Sequence, residues 1–161
     1  MENLHVSAAA LAAALKAKRQ RIAVAESSTG GLIAASLLAE PGASAYFLGG
    51  GVIYTAQARE ALLGITPADM EGMRSASEPY ALLLARRVRE KHGADWGLAE
   101  TGAAGPSGNR YGDAAGHSCI AVVGPNIERV ITLETRSADR RANMRRFAQG
   151  AFGLAIKTIG L

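Results

Sequence analysis

The stretch that most constrains the fold is "RIAVAESSTGGLIAASLLAE", a short apolar run that breaks into an acid, three hydroxyls and two glycines and resumes as an apolar helix pattern. A buried strand opening through glycine into a helix is the building unit of layered α/β proteins, whose strands need cover on both faces. The pattern recurs along the chain. "YFLGGGVIYT" reads as a second strand whose glycines admit close backbone approach, and "AQAREALLG" as a short helix closed by Gly64. "ADWGLAETG" reads as a third strand, and its exit, "TGAAGPSGNRYGDAAGHS", is the longest glycine-rich loop in the protein.

The remaining segments complete the alternation. Residues 4 to about 18 carry Leu4, Ala8, Leu11 and Leu15 on one helical face and end in basic residues that suit a helix C-terminus. Residues 65 to 76 read as a loop, and "SASEPYALLLARRVREKHG" as a long helix started by Ser75 or Ser77 and stopped at Gly93. "CIAVVG" and "ERVITLETR" are strands of a candidate hairpin across "PNI", a turn that does not fix their register. Residues 138 to about 156 form the final helix. The expectation is an α/β fold: a single three-layer domain over residues 1–161, with a mixed sheet of four to five strands flanked by helices.

Composition narrows the setting. Hydrophobic residues make up 48% and aromatics only 5%, so helices and sheet can approach closely through small side chains. No apolar run reaches the roughly eighteen residues a membrane span needs. The charges near the start follow the apolar stretch, opposite to the order of a secretory signal. Cys119 is the one cysteine and has no disulfide partner, so a cytoplasmic setting is expected. A net charge of +4 favours anionic ligands. Sparse aromatics and the lack of a helix-turn-helix or zinc-finger pattern argue against nucleic acid as the partner.

In open α/β sheets ligands collect beyond the carboxyl ends of strands. Three polar, glycine-rich exits qualify: Glu26 with Ser27, Ser28, Thr29, Gly30 and Gly31; Tyr54 and Thr55; and residues 101–113. Ser28 or Thr29 can cap the following helix, whose free N–H groups can equally hold an anion or an oxyanion. Ser27 is a nucleophile candidate if a base reaches it. Phosphate-loop, dinucleotide-fingerprint, hydrolase-elbow and zincin motifs are absent. Glu26, Glu100 and Asp113 have no spacing that demands a metal, and no cofactor is implied. Of the histidines, His117 has equal claims to ligand contact and to structure.

The chain resembles the CinA C-terminal domain family through four ordered segments: "AESSTGG", "GGGVIYTAQAREALLGI", "SASEP" and "TGAAGP". Stand-alone members of that family include amidases that convert nicotinamide mononucleotide to nicotinic acid mononucleotide and ammonia. The resemblance implies a serine-lysine arrangement without metal, with Ser27 as nucleophile and Tyr54 placing or polarising it. It implies further that Thr29 and residues 101–106, including Thr101, Gly102, Ala104 and Gly105, hold substrate. Arg140, Arg141 and Arg145 form the group from which the substrate phosphate is held.

Arg59 departs from the pattern, because it stands where the family carries lysine, and a guanidinium keeps its proton at any accessible pH. Ser28 replaces a cysteine, and "SGNRYGDAAGH" replaces a lysine-containing loop. Under an amidohydrolase reading, Ser27 attacks the carboxamide carbon and N–H groups of residues 29–31 hold the oxyanion. The base is then Glu26, Asp113, His117 or a water they hold, with His117 best suited by its ordinary pKa. The rival reading is a noncatalytic module that binds a nucleotide or phosphate through Arg59 and the last-helix arginines. A third is a structural protein whose small-residue helices pack against another copy; in every case a homodimer or higher homo-oligomer is expected.

Overall fold

The computed structural model describes residues 2–160. Its elements are α1 (Glu2–Lys18), β1 (Ile22–Glu26), α2 (Leu32–Leu38), β2 (Phe47–Val52), α3 (Ala56–Leu63), α4 (Glu78–His92), β3 (Trp96–Ala103), β4 (His117–Gly124), β5 (Ile127–Glu134) and α5 (Arg140–Ile159). The strands form one five-stranded sheet in the order β2-β1-β3-β4-β5. β1 runs parallel to β2 and β3, while β3-β4 and β4-β5 are antiparallel, so the sheet is mixed. This is the α/β arrangement expected from the alternating pattern.

Strand alternation divides the interior into two layers. Ile22, Val24, Leu98, Ile120 and Val122 point to the layer of α1, α2 and α5. Ala23, Ala25, Ala99 and Ala121 face α4 and α3, against Leu63, Tyr80, Leu84 and Val88. Small strand residues on that second face let α4 come close. A Cβ added at Gly97 would lie 2.1 Å from the Ala85 carbonyl oxygen. Gly50 has a similar role between strands, because a Cβ there would meet the Val24 carbonyl oxygen at 1.7 Å.

Helix starts follow local chemistry. Thr55 accepts from Ala58 N at 3.0 Å to cap α3, Ser77 caps α4 by accepting from Tyr80 N, and Asp139 caps α5 by accepting from Ala142 N. In α5 the wholly buried Phe147 and Phe152 each contribute about 1.5–3 kcal/mol. A cap is worth about 1 kcal/mol, so packing rather than capping holds this helix. α2 is the exception to side-chain capping: Gly31 precedes it with φ +104° and no hydroxyl accepts its N–H groups. The expectation that Ser28 or Thr29 caps this helix is therefore corrected. Glu26 does so from the end of β1, taking Gly31 N at 3.1 Å and Ile33 N and Ala34 N at 2.9 Å. Among the described residues no helix is long and apolar enough to cross a membrane.

Candidate active site

Parallel β1, β2 and β3 bring their carboxyl ends to one edge of the sheet, where β4 begins and β5 ends. A cavity of about 270 Å³ opens there. Ser27 enters it from β1, Tyr54 and Thr55 from β2, Arg59 from α3, Ser75, Ala76 and Tyr80 from the entry to α4, and Thr101, Gly102, Asn109 and Tyr111 from β3 and its loop. The sequence holds four tyrosines, and three of them line this space, giving it planar walls.

The floor is built around Glu100, a wholly buried residue of the central strand β3. Its carboxylate accepts from Ser27 N at 3.1 Å, Thr29 N at 3.0 Å, Thr29 Oγ1 at 2.8 Å, Ser28 Oγ, and Ser118 Oγ at 3.4 Å. A charge this deep persists only when donors surround it, and here the donors come from the hydroxyl turn itself. Two of the three hydroxyls are thereby committed to the interior. Ser27 is half-buried and is the one that lines the cavity.

The same bonds revise the expected oxyanion cradle. Thr29 N points to Glu100, Gly30 N to the Ser27 carbonyl at 3.2 Å, and Gly31 N to Glu26. These amides hold the turn together and do not face the cavity. Glu26 is likewise buried at the start of α2; burial raises its carboxyl above the usual range, against the opposing pull of the Ala34 and Ile33 N–H groups.

Arg59 is held on the wall by donating from Nη1 to Ser75 Oγ at 3.2 Å, with its guanidinium carbon 5.5 Å from the Tyr80 ring centroid. Ser27 and Arg59 thus face one cavity. The other expected residues have different places. Asp113 does not line the cavity. It accepts from Arg74 at 2.7 and 3.3 Å and from Asn109 Nδ2 at 2.8 Å, which closes the glycine-rich loop. Burial opposes its ionisation, but Arg74, Asn109 and His117 together keep its carboxyl below the usual range.

His117 is buried behind the cavity wall. Nδ1 lies 2.5 Å from Glu134 Oε1 and Nε2 lies 2.8 Å from the Ala76 carbonyl oxygen, so both ring nitrogens face acceptors. Only the doubly protonated ring can donate to both. Burial alone would depress its pKa, but Glu134, the Ala76 carbonyl and Asp113 outweigh burial and raise it. With both ring nitrogens engaged by Glu134 and the Ala76 carbonyl, His117 turns no nitrogen to the cavity.

Arg140 donates from Nη1 to the Gly105 carbonyl at 2.5 Å and from Nη2 to Tyr54 Oη at 3.4 Å, so it braces two site segments from outside. Arg141 and Arg145 are exposed on α5 and do not line the cavity. Ala104 and Gly105 present carbonyls to α5, to Asn143 Nδ2 at 2.8 Å and to Arg140. Asn143 was not singled out by sequence, nor were Tyr80, Asn109 and Tyr111 as site residues. A buried amide at helical spacing from Phe147 and Ala151 was the available signal for Asn143, since an interior amide needs partners. Among the described residues no three His, Cys, Asp or Glu side chains converge as metal ligands.

Residues 5–159 match the CinA C-terminal domain. A CinA-like protein of Chlorobium limicola is 42% identical over 134 residues, which cover 81% of this chain and 31% of that protein. One from Gloeobacter violaceus is 38% identical over 153 residues, covering 94% of this chain and 36% of the relative. The chain spans about a third of the length of these curated relatives. Among solved structures, a competence-damaged protein (CinA) superfamily protein from Klebsiella pneumoniae superimposes with a TM-score of 0.91 at 25% identity, covering 98% of both chains. An Escherichia coli protein of the same superfamily gives 0.90 at 26% identity, covering 96% of this chain and 90% of that one. With its sequence matched over residues 5–159 and its fold superimposing on solved members of the superfamily, the chain belongs to the CinA C-terminal domain family.

Proposed function

We propose that this protein is an amidohydrolase acting on the carboxamide of nicotinamide mononucleotide or a similar phosphorylated amide, with Ser27 as nucleophile. The observation that carries the reading is the tyrosine-walled cavity on which Ser27 and Arg59 meet. A planar heteroaromatic amide suits walls of Tyr54, Tyr80 and Tyr111, because aromatic rings stack favourably in offset or edge-on geometry. Ser27 Oγ attacks the carboxamide carbon, the C–N bond breaks, and the serine proton leaves with the amine as ammonia. Water then cleaves the acyl-serine ester to the carboxylate and restores the hydroxyl. Arg59 keeps its proton throughout and supplies fixed positive charge beside the oxygen that becomes anionic. Glu26, Asp113 and His117 are each engaged away from the cavity, so the serine proton passes through water in the cavity.

The purified protein is expected to release ammonia from nicotinamide mononucleotide, to lose this activity in Ser27→Ala, and to turn over faster in Arg59→Lys, which restores a group able to give up a proton. No release by either the wild type or Arg59→Lys would overturn the amidase reading. The commitment of Glu26, Asp113 and His117 to other partners favours a second reading, a noncatalytic nucleotide-binding member of the family. Saturable calorimetric binding of the mononucleotide without turnover would select it.

A further inference from the structure

His117 lies behind the cavity wall, and the residues it touches lead to Arg59 in two steps. Nε2 meets the Ala76 carbonyl at 2.8 Å, Ala76 itself lines the cavity, and the residue before it, Ser75, accepts from Arg59 Nη1 at 3.2 Å. We propose that His117 is a positioning residue for the Ser27 cavity: protonated, it clamps the strap of residues 74–76 and so sets where Arg59 stands, and loss of its proton releases the strap. The proposal rests on the amidohydrolase reading for what Arg59 does there, and adds to it a control that lies outside the cavity.

The strap is a segment that needs holding. Ala76 has φ +54°, a left-handed conformation that a residue with a Cβ keeps only where its surroundings fix it. Both polar groups of its backbone are pinned, the N–H to Thr101 Oγ1 at 3.2 Å and the carbonyl to His117. The Thr101 hydroxyl is an acceptor at any pH, whereas the ring donates to Ala76 only while Nε2 carries a proton. The other nitrogen donor at that carbonyl, Arg74 Nη1, is 3.4 Å away and lies closer to Asp113, at 2.7 Å.

The second ring nitrogen decides which bond is lost first. Nδ1 lies 2.5 Å from Glu134 Oε1. A carboxylate is a stronger acceptor than a carbonyl, so a singly protonated ring keeps its hydrogen on Nδ1 and turns an Nε2 lone pair toward the Ala76 oxygen. Attraction at Ala76 then becomes repulsion. The groups facing the ring are Glu134 from β5, Asp113 of the glycine-rich loop with Arg74 behind it, and Cys119 from β4, with Glu78 of α4 reached through Thr132. Despite burial, Arg74 and Asn109 hold the Asp113 carboxyl below its usual range, and burial pushes the Cys119 thiol up. Both therefore titrate apart from the ring, whose pKa, despite burial, Glu134 and the Ala76 carbonyl raise above 6.5.

The test is an NMR titration of the intact protein from mild acid to mild alkali. It reads the His117 ring, the Ser77 amide that shares a peptide group with the Ala76 carbonyl, and the Arg59 Nε–H, in wild type, Ser75→Ala, Glu134→Gln and His117→Gln. Expected in wild type is one midpoint common to all three, on the alkaline side of pH 6.5. Ser75→Ala should keep the transition at the ring and at Ser77 and lose it at Arg59. Glu134→Gln, at a half-exposed side chain, should move the ring's midpoint to lower pH and shrink the transition at Ser77 and Arg59, because its amide can donate to Nδ1 and leave the remaining hydrogen on Nε2. His117→Gln should abolish the transition at Ser77 and Arg59. The kcat for ammonia release should fall with the wild-type midpoint and hold up in Glu134→Gln. An Arg59 signal that does not share the ring's midpoint, or that shares it unchanged in Ser75→Ala, overturns the proposal, as does the same alkaline fall of kcat in wild type and Glu134→Gln. The resonances are read without substrate, so their failure leaves the amidase reading to ammonia release, and absence of ammonia release leaves the clamp to the resonances.

Discussion

Glu100, beneath the hydroxyl turn, and Arg59, on the cavity wall, are charged groups of one site held in different ways. Glu100 is wholly buried and receives donors from Ser27, Ser28, Thr29 and Ser118. Arg59 is half-buried, donates to Ser75, lies over Tyr80 and lines the cavity. A charge saturated by its own chain fixes geometry, whereas one with spare donors is available to a ligand. The floor therefore sets where Ser27 sits, and the wall sets what comes to it.

The comparison breaks most readily at Glu100. Glu100→Ala removes the acceptor for several buried donors at once and is expected to cost about 3–5 kcal/mol in urea unfolding, the range for removing one partner of a buried charged network. Ser27→Ala, at a half-buried hydroxyl outside that network, is expected to change stability by less than about 0.5 kcal/mol. Equal costs for the two would mean that floor and nucleophile are not separable.

Next in size is Glu26→Ala. It strips the acceptor from Gly31, Ile33 and Ala34 N–H groups at the start of a helix that has no side-chain cap of its own. A cost of about 1–3 kcal/mol is expected, as for leaving a buried donor unpaired. Rapid hydrogen exchange at Ile33 and Ala34 should mark the loss locally. Protection unchanged at those amides would show that Glu26 is not the anchor of α2.

The turn of the floor was legible in the sequence, and so were Tyr54, Arg59 and Thr101 on the wall, but not the way either is assembled. The run from "RIAVAES" into "TGGLIAASLLAE" encodes strand, turn and helix by local rules, which put Ser27 at a strand exit as a nucleophile candidate, and the resemblance gave it that role. The role of Glu100 was hidden, because a single acid within "GLAETG" shows neither that its strand is central nor which donors reach it across 71 to 73 positions of chain. The wall brings together α3, Ser75, Ala76 and Tyr80 at the entry to α4, and Asn109 and Tyr111 of the glycine-rich loop, and their meeting depends on tertiary packing alone. Helix ends show the same limit at short range. Both Ser75 and Ser77 suit a cap by residue type, but Ser77 takes the place and Ser75 turns to Arg59. The β4-β5 register was also open until Gly124 paired with Ile127 across Pro125 and Asn126, with Asn126 at φ +64°.

His117 connects floor and wall and gives a smaller effect, visible through pH. Facing it are Glu134 from β5, Asp113 from the loop at 3.6 Å, Cys119 from β4 at 3.7 Å and the Ala76 carbonyl, with Arg74 beyond Asp113. Its folded pKa is raised above the ordinary 6.5. The folded state therefore holds the proton more tightly than the unfolded chain. The resulting stabilisation is full below pH 6.5 and is lost as pH rises through the folded pKa. The stability gap between wild type and His117→Gln should accordingly be widest in mild acid and shrink on the alkaline side. A gap that widens with rising pH would reverse the assignment of a cationic ring.

The smallest expected effect sharpens the contrast at the wall itself. α3 is eight residues long, too short to be stable by propensity, and it carries Arg59 on a single buried anchor, Leu63. Thr55 caps it by accepting from Ala58 N at 3.0 Å. Thr55→Ala should cost about 0.5–1 kcal/mol, the lower part of the range for a lost N-cap, and the global unfolding midpoint should move little. The local consequence is larger in relative terms, because fraying the first turn of α3 loosens Ala58, the donor of the lost bond and the neighbour of Arg59. Hydrogen exchange at Ala58 should quicken while amides of β1 and β3 keep their protection. If β1 and β3 lose protection together with α3, the wall is part of the same cooperative unit as the floor, and the freedom of Arg59 to meet a ligand has to come from its side chain rather than from its helix.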